Sequence, residues 1–327
     1  MADRTHSTAS PAFAYVRAEP GSAKPDPIIV VDNISRSFGG LKAVDVAHLE
    51  IQRGHITGLI GPNGAGKTTF FNLLTGFDRS DTGTWTLDGV DLGRQHPHRV
   101  ARQGVVRTFQ LTKALSRMSV LDNVRLGATG QIGERIVSSL LPFRWRKQEA
   151  EITTRAREML VRFKLDAKAD DMAGSLSGGQ RKLLEMARAL MTDPKVVMLD
   201  EPMAGVNPAL TESLLEHVKT LRAQGMTVVF VEHDMDVIRD ISDWVVVMAQ
   251  GAVIAESPPG ALADNPAVVD AYLGSHHDQA LEFDADGNPV GATAELAEEI
   301  EQAVADTIEA GGDLSEPAID PKGSADD

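Results

Sequence analysis

The chain has 327 residues, 42% of them hydrophobic and 5% aromatic, with no cysteine and a formal net charge of −15. That is apolar material for one large core or two smaller ones. The missing cysteines exclude disulfides, thiolate metal sites and cysteine nucleophiles, which suits a reducing compartment. No run approaches the roughly 20 apolar residues of a membrane span, and the N-terminus lacks a basic-then-apolar leader. Acidic charge with few aromatics argues against nucleic acid as a partner.

In chain order, residues 1–27 contain Ser7, Thr8, Ser10, Pro11, Pro20, Gly21, Pro25 and Pro27 and read as a flexible segment. The folded unit is predicted over residues 28–274. Ile56 to Ile60 is a short apolar strand that runs into Gly61-Pro62-Asn63-Gly64-Ala65-Gly66-Lys67-Thr68-Thr69. This matches G-x-x-x-x-G-K-[ST], in which glycines let backbone N–H groups wrap a polyphosphate, Lys67 adds a full charge and Thr68 offers its hydroxyl to Mg²⁺. Phe70, Phe71, Leu73 and Leu74 continue it as a helix that Gly76 stops.

Leu176-Ser177-Gly178-Gly179-Gln180 opens a helix with an apolar face through Leu183, Leu184, Met186, Ala187, Leu190 and Met191. Ser177 is its N-cap, and the paired glycines bare the N–H groups of the first turn. On physics alone this is a second anion cradle or an ordinary capped helix. Val196 to Leu199 reads as a central parallel strand ending in Asp200 and Glu201, where doubly wound sheets bind ligands. Alternation along a strand separates the two carboxylates: Asp200 suits an outer-sphere hold on Mg²⁺, Glu201 a base for an attacking water. Pro208 starts a helix with a Leu210, Leu214, Val218, Leu221 stripe that Gly225 ends, and Met226 to Val231 is a further buried strand.

Gly61 to Thr69, Leu176 to Gln180 and Val196 to Glu201, in this order, resemble the three defining motifs of the ATP-binding cassette ATPases over about residues 28–274. The resemblance implies an α/β P-loop NTPase (RecA-like) core with a mixed sheet, an N-terminal antiparallel β subdomain around the adenine site, and an inserted helical subdomain at about 111–176. It implies ATP and Mg²⁺ as ligands and head-to-tail pairing. Each nucleotide would lie between Gly61 to Thr69 of one subunit and Ser177, Gly178, Gly179 and Gln180 of another. Phe38 takes the position where many members stack a tyrosine on adenine. Arg107-Thr108-Phe109-Gln110 is similar to the loop whose glutamine touches Mg²⁺ and the lytic water and senses the membrane partner. His233 matches the switch histidine at the γ-phosphate, although a lone histidine after a strand is more often structural. Catalysis would then rest on Glu201, His233, Gln110 and Lys67, and the metal on Thr68, Gln110 and Asp200. Asn207 replaces an aspartate that in many relatives links the two sites.

Ser37 to Ala43, Arg107 to Gln110, Asp200 to Pro208, Glu232 to Met235 and Asn265 to Gly274 resemble ATP-binding subunits of branched-chain amino-acid importers. Urea or amide importers and lipopolysaccharide exporters share parts of these strings, and a soluble cassette ATPase is the reading of another class. A transporter subunit implies a second ATPase subunit, permease partners, indirectly a solute-binding protein, and a peripheral place on the cytoplasmic face of the membrane. In the helical insertion Ile132, Ile136, Leu140 and Leu141 recur at helical spacing until Pro142. Phe143 to Lys147 then reads either as a partner- or headgroup-facing cluster or as a solvated turn. From Ser275 onward fifteen Asp/Glu face one Lys, so residues 275–327 read as a mostly disordered acidic extension. Within it Leu296, Ile300, Val304 and Ile308 mark a short amphipathic helix as the alternative.

Overall fold

Three five-residue runs, Ile56–Ile60, Val196–Asp200 and Thr227–Val231, are buried at every position. A parallel strand covered on both faces has no solvent side, so its sequence carries no polar alternation. The computed structural model describes residues 11–108, 115–131, 142–206, 208–262 and 265–277. Its strands are β1 (Pro27–Phe38), β2 (Leu41–Gln52), β3 (Ile56–Ile60), β4 (Thr82–Leu87), β5 (Val90–Asp91), β6 (Val105–Arg107), β7 (Val196–Asp200), β8 (Thr227–Val231), β9 (Trp244–Ala249) and β10 (Ala252–Ser257). The α-helices are α1 (Lys67–Leu74), α2 (Pro97–Gln103), α3 (Val120–Arg125), α4 (Pro142–Arg162), α5 (Gly178–Leu190), α6 (Pro208–Ala223), α7 (Met235–Ile241) and α8 (Pro266–His277).

The strands form two sheets. A six-stranded sheet has the order β10-β9-β3-β8-β7-β6, parallel except for β10, and a four-stranded antiparallel sheet has the order β2-β1-β4-β5. The expected mixed-sheet core is present, and the antiparallel layer draws β4 and β5 from beyond α1. The expected stops hold as well, with Gly76 and Gly225 at φ +72° and +82° after α1 and α6. Between β6 and α5 the described chain is helical: α3 and α4 bury Val120, Val124, Ala156 and Leu160 against Phe163 and Leu165. Pro142 begins α4, so Trp145 to Lys147 lie in the early turns of a helix and the expectation of a charged turn is corrected. A proline at a helix start loses no hydrogen bond and has its φ already set.

Residues 11–26 also differ from the expected flexible segment. Phe13 is buried, stacks on Trp244 with 4.8 Å between ring centroids, and meets His55 edge-on. Lys24 Nζ lies 2.9 Å from Glu256 Oε2, with the two side chains 1% and 0% exposed, and 4.6 Å from the centre of the Trp244 ring. Glu256 also accepts from the Gly21 N–H at 2.7 Å and Trp244 Nε1 at 3.0 Å. A segment read as flexible from its prolines, serine and glycine is thus tied to β9 and β10 by the Phe13 ring and the Lys24–Glu256 ion pair. The first ten residues, and the amphipathic alternative at Leu296 to Ile308, lie outside the described residues.

The chain divides into two units, Met1–Tyr272 and Leu273–Asp327. Of the second, the described part is 273–277, the end of α8.

Candidate functional site

β3 ends at Ile60, and Gly61 to Gly66 turn the chain into α1, whose first residue is Lys67. Gly66 caps α1 at φ +96°, and a Cβ there would run into the Ala43 carbonyl. Only glycine combines that left-handed backbone with that approach. The loop, with Leu41, Lys42 and Ala43 of β2, forms an open cleft of about 640 Å³ that Glu201 and His233 also line. Lys67 is buried and donates to the carbonyls of Gly61 at 2.5 Å and Pro62 at 3.0 Å. Burial lowers its pKa, and the charges of Glu201 and Asp200 oppose that shift. The site therefore offers a cation already withdrawn from water.

β7 delivers both carboxylates, and they separate as expected, but not by strand alternation alone. Glu201 leaves the strand at φ +46°, a left-handed conformation that costs a non-glycine residue about 1 kcal/mol or more. Its N–H donates to Val231 O at 3.0 Å, and Lys182 Nζ on α5 gathers the carbonyls of Glu201, Pro202 and Ala204 at 3.4, 3.0 and 2.5 Å. Glu201 Oε1 then lies 2.8 Å from His233 Nε2. His233 sits between β8 and α7, whose N-cap Asp234 accepts from the N–H groups of Asp236 and Val237. Neighbouring Glu232 is buried and accepts from the Met203 N–H at 2.8 Å, and burial raises its pKa.

Asp200 Oδ2 lies 2.5 Å from Arg107 Nη2, and Arg107 Nη1 donates to Asn72 Oδ1 on α1 at 2.6 Å. Arg107 and Lys182 are the supporting residues that sequence reasoning missed. The arginine was visible only as part of a string, and the lysine, which follows Arg181 in the first turns of the helix, carried no signal of its own. Thr68 is exposed on the cleft wall. Phe38 pairs across the hairpin with Leu41, half exposed, with Arg36 4.5 Å from its ring, but Leu41 and not Phe38 lines the cleft. Ser177 and Gln180 form a reciprocal capping box at the start of α5. They and the two glycines between them do not line this cleft. Gln110 and Asn207 lie outside the described residues.

Residues 44–204 match the model of a family described as ABC transporter. The chain is similar to the probable branched-chain amino acid transport ATP-binding protein LivG of Archaeoglobus fulgidus, 45% identical over 248 residues, 76% of this chain and 96% of that one. It is similar also to the high-affinity branched-chain amino acid transport ATP-binding protein LivG of Escherichia coli, 40% identical over 250 residues, 76% of this chain and 98% of that one. Among solved structures, an ATP-binding cassette of an ABC transporter in its ADP conformation superposes with TM-score 0.65 at 37% identity, covering 76% of this chain and 99% of that one.

Proposed function

The chain belongs to the ABC transporter family and is an ATPase subunit of that family, and from that premise we propose that it powers the import of branched-chain amino acids by hydrolysing ATP in the cleft between the phosphate loop and the Glu201–His233 pair. One observation carries the chemistry: a carboxylate and an imidazole meet at 2.8 Å on the wall of the cleft that holds Lys67. In this reading the loop N–H groups and Lys67 neutralise the phosphates. Glu201 takes a proton of a water whose oxygen attacks the γ-phosphorus in line as the bond to the β–γ bridging oxygen breaks, leaving ADP and inorganic phosphate, and His233 passes from Glu201 to a γ-phosphate oxygen. Leu41 on the cleft wall would flank the adenine, with its hairpin partner Phe38 behind it at the rim.

Mg²⁺ fits the donors present. Thr68 offers a hard hydroxyl oxygen and Asp200 a carboxylate for an outer-sphere hold, and among the described residues no group of three or more acidic or histidine side chains gathers to cage an ion. Mg²⁺ is ordinarily held by one or two carboxylates and completes its shell with phosphate oxygens and water. Gln110 would join them, as the resemblance implies. When bound, the ion neutralises charge on the phosphate oxygens.

Ser177, Gly178, Gly179 and Gln180 would close the cleft of a second subunit, which accounts for two anion cradles in a chain with one phosphate loop. The amino-acid assignment rests on similarity, across nearly their whole length, to relatives named for that transport. Permease partners and a peripheral site on the cytoplasmic face follow from the same reading. No helix among the described residues is long and apolar enough to cross a membrane.

Glu201→Gln should bind ATP and lose turnover by about a hundredfold or more, and near-normal hydrolysis would remove Glu201 as the base. Deleting the gene should abolish uptake of labelled leucine. Intact leucine uptake with lost urea or amide uptake would move the solute and leave the ATPase reading standing.

A further inference from the structure

The carboxylate that serves as base stands on a backbone that needs holding. Glu201 has φ +46° and Gly205 φ +68°, so the chain leaves β7 through two left-handed residues, the first of them not glycine. The turn between them closes with the Ala204 N–H on the Glu201 carbonyl at 3.2 Å. In that turn the carbonyls of Glu201, Pro202 and Ala204 converge on Lys182 Nζ, at 3.4, 3.0 and 2.5 Å. Converging carbonyl dipoles repel one another, and an ammonium, with three donors and no acceptor, satisfies them together.

Lys182 works from a fixed base. On its helix α5, Leu183, Leu184 and Met186 are buried in the main apolar cluster, and a Cβ on Gly179 would run into the Leu210 side chain. Burial lowers the lysine's pKa, and the charges of Glu232, Glu185 and Glu201 oppose that shift. Lys182 does not line the cleft at the phosphate loop. It lines instead a void of about 20 Å³ behind Glu201, shared with Thr108, Asp200 and Leu214, which is room for the turn to shift once the cation is removed.

We propose that Lys182 is a positioning residue for hydrolysis: it holds the Glu201 backbone in the left-handed turn from which the carboxylate meets His233 at 2.8 Å. The proposal rests on the reading of Glu201 as the base. Without the ammonium the three carbonyls lose their shared donor and the turn relaxes. The carboxylate then moves off its line to the attacking water, which slows chemistry and spares nucleotide binding.

The test uses the full-length chain. Lys182→Met keeps an unbranched apolar stem and removes the charge. Its turnover at saturating ATP should fall about tenfold or more, while the dissociation constant for ATP changes by less than about twofold. In a Glu201→Gln background, where the carboxylate is already gone, the same substitution should cost no further turnover. Wild-type turnover in Lys182→Met would overturn the proposal. So would a matching loss of ATP affinity, or a full further loss in the Glu201→Gln background, because Lys182 would then support the fold at large and not the base. Should Lys182→Met fail to fold, Lys182→Gln, which retains N–H donors without the charge, carries the same measurements. If Glu201→Gln alone hydrolyses ATP at the normal rate, the reading of the base itself falls, an outcome distinct from these.

Discussion

Lys67 sits where two opposing effects meet. Burial disfavours its charge, while Glu201 and Asp200 favour it, and burial is the larger. The free protein therefore releases this proton at lower pH than an ordinary lysine, near 10.4, whereas bound phosphates would draw the proton back. ATP affinity should accordingly begin to fall as pH rises toward, but still below, the usual lysine range, with proton uptake on binding. Lys67→Arg should flatten that dependence because guanidinium stays charged. An unchanged slope, measured by nucleotide titration at each pH, would assign the effect to another group. The Glu201–His233 and Asp200–Arg107 pairs show the same economy, each functional carboxylate meeting a nitrogen partner. The types and order of Lys67, Asp200, Glu201 and His233 were legible in the sequence. Arg107 and Lys182 were not, since a cation's partner lies in another element.

Among elements, the segment at residues 11–26 departs most from its composition. Its prolines, serine and glycine read as a flexible segment; what orders it is complementarity to β9 and β10. Glu256 is fully buried, and Lys24 supplies the only cation paired to it in the described residues. Lys24→Met should therefore destabilise the protein by about 3 kcal/mol, read as a lower denaturant midpoint. Adding Glu256→Gln should recover part of the loss, because the amide oxygen still accepts from Gly21 and Trp244 without a buried charge. A Lys24→Met variant as stable as its parent would mean the segment contributes nothing to the fold. By contrast α5 was readable nearly to its boundaries, because its capping box and apolar face are local patterns.

For the whole molecule, the decisive arrangement is that Ser177 to Gln180 begin a helix that does not line the chain's own cleft. If a second subunit supplies that helix start, adding negative charge there should repel the arriving phosphates and leave the monomer intact. Gly178 suits the experiment: it is exposed, its φ is not left-handed, and a Cβ there meets nothing within 4 Å. An acidic residue in a first helical turn is also favourable. Gly178→Asp should fold normally and bind ATP as a monomer with unchanged affinity. It should lose ATP-dependent association in light scattering and fall about tenfold or more in turnover. Weaker ATP binding by the monomer would place the helix at the chain's own cleft.

By itself the sequence determined the family, the phosphate loop, the buried central strands and the kinds of atoms at the site, because each depends on residues adjacent in the chain or one helical turn apart. The tertiary structure alone decided that residues 11–26 pack, that Glu201 takes a left-handed backbone under Lys182, and that Leu41 and not Phe38 faces the cleft. Each of those depends on a contact between elements distant in sequence. Such contacts follow from which surfaces the sheets and helices bring together, and local periodicity carries no record of that.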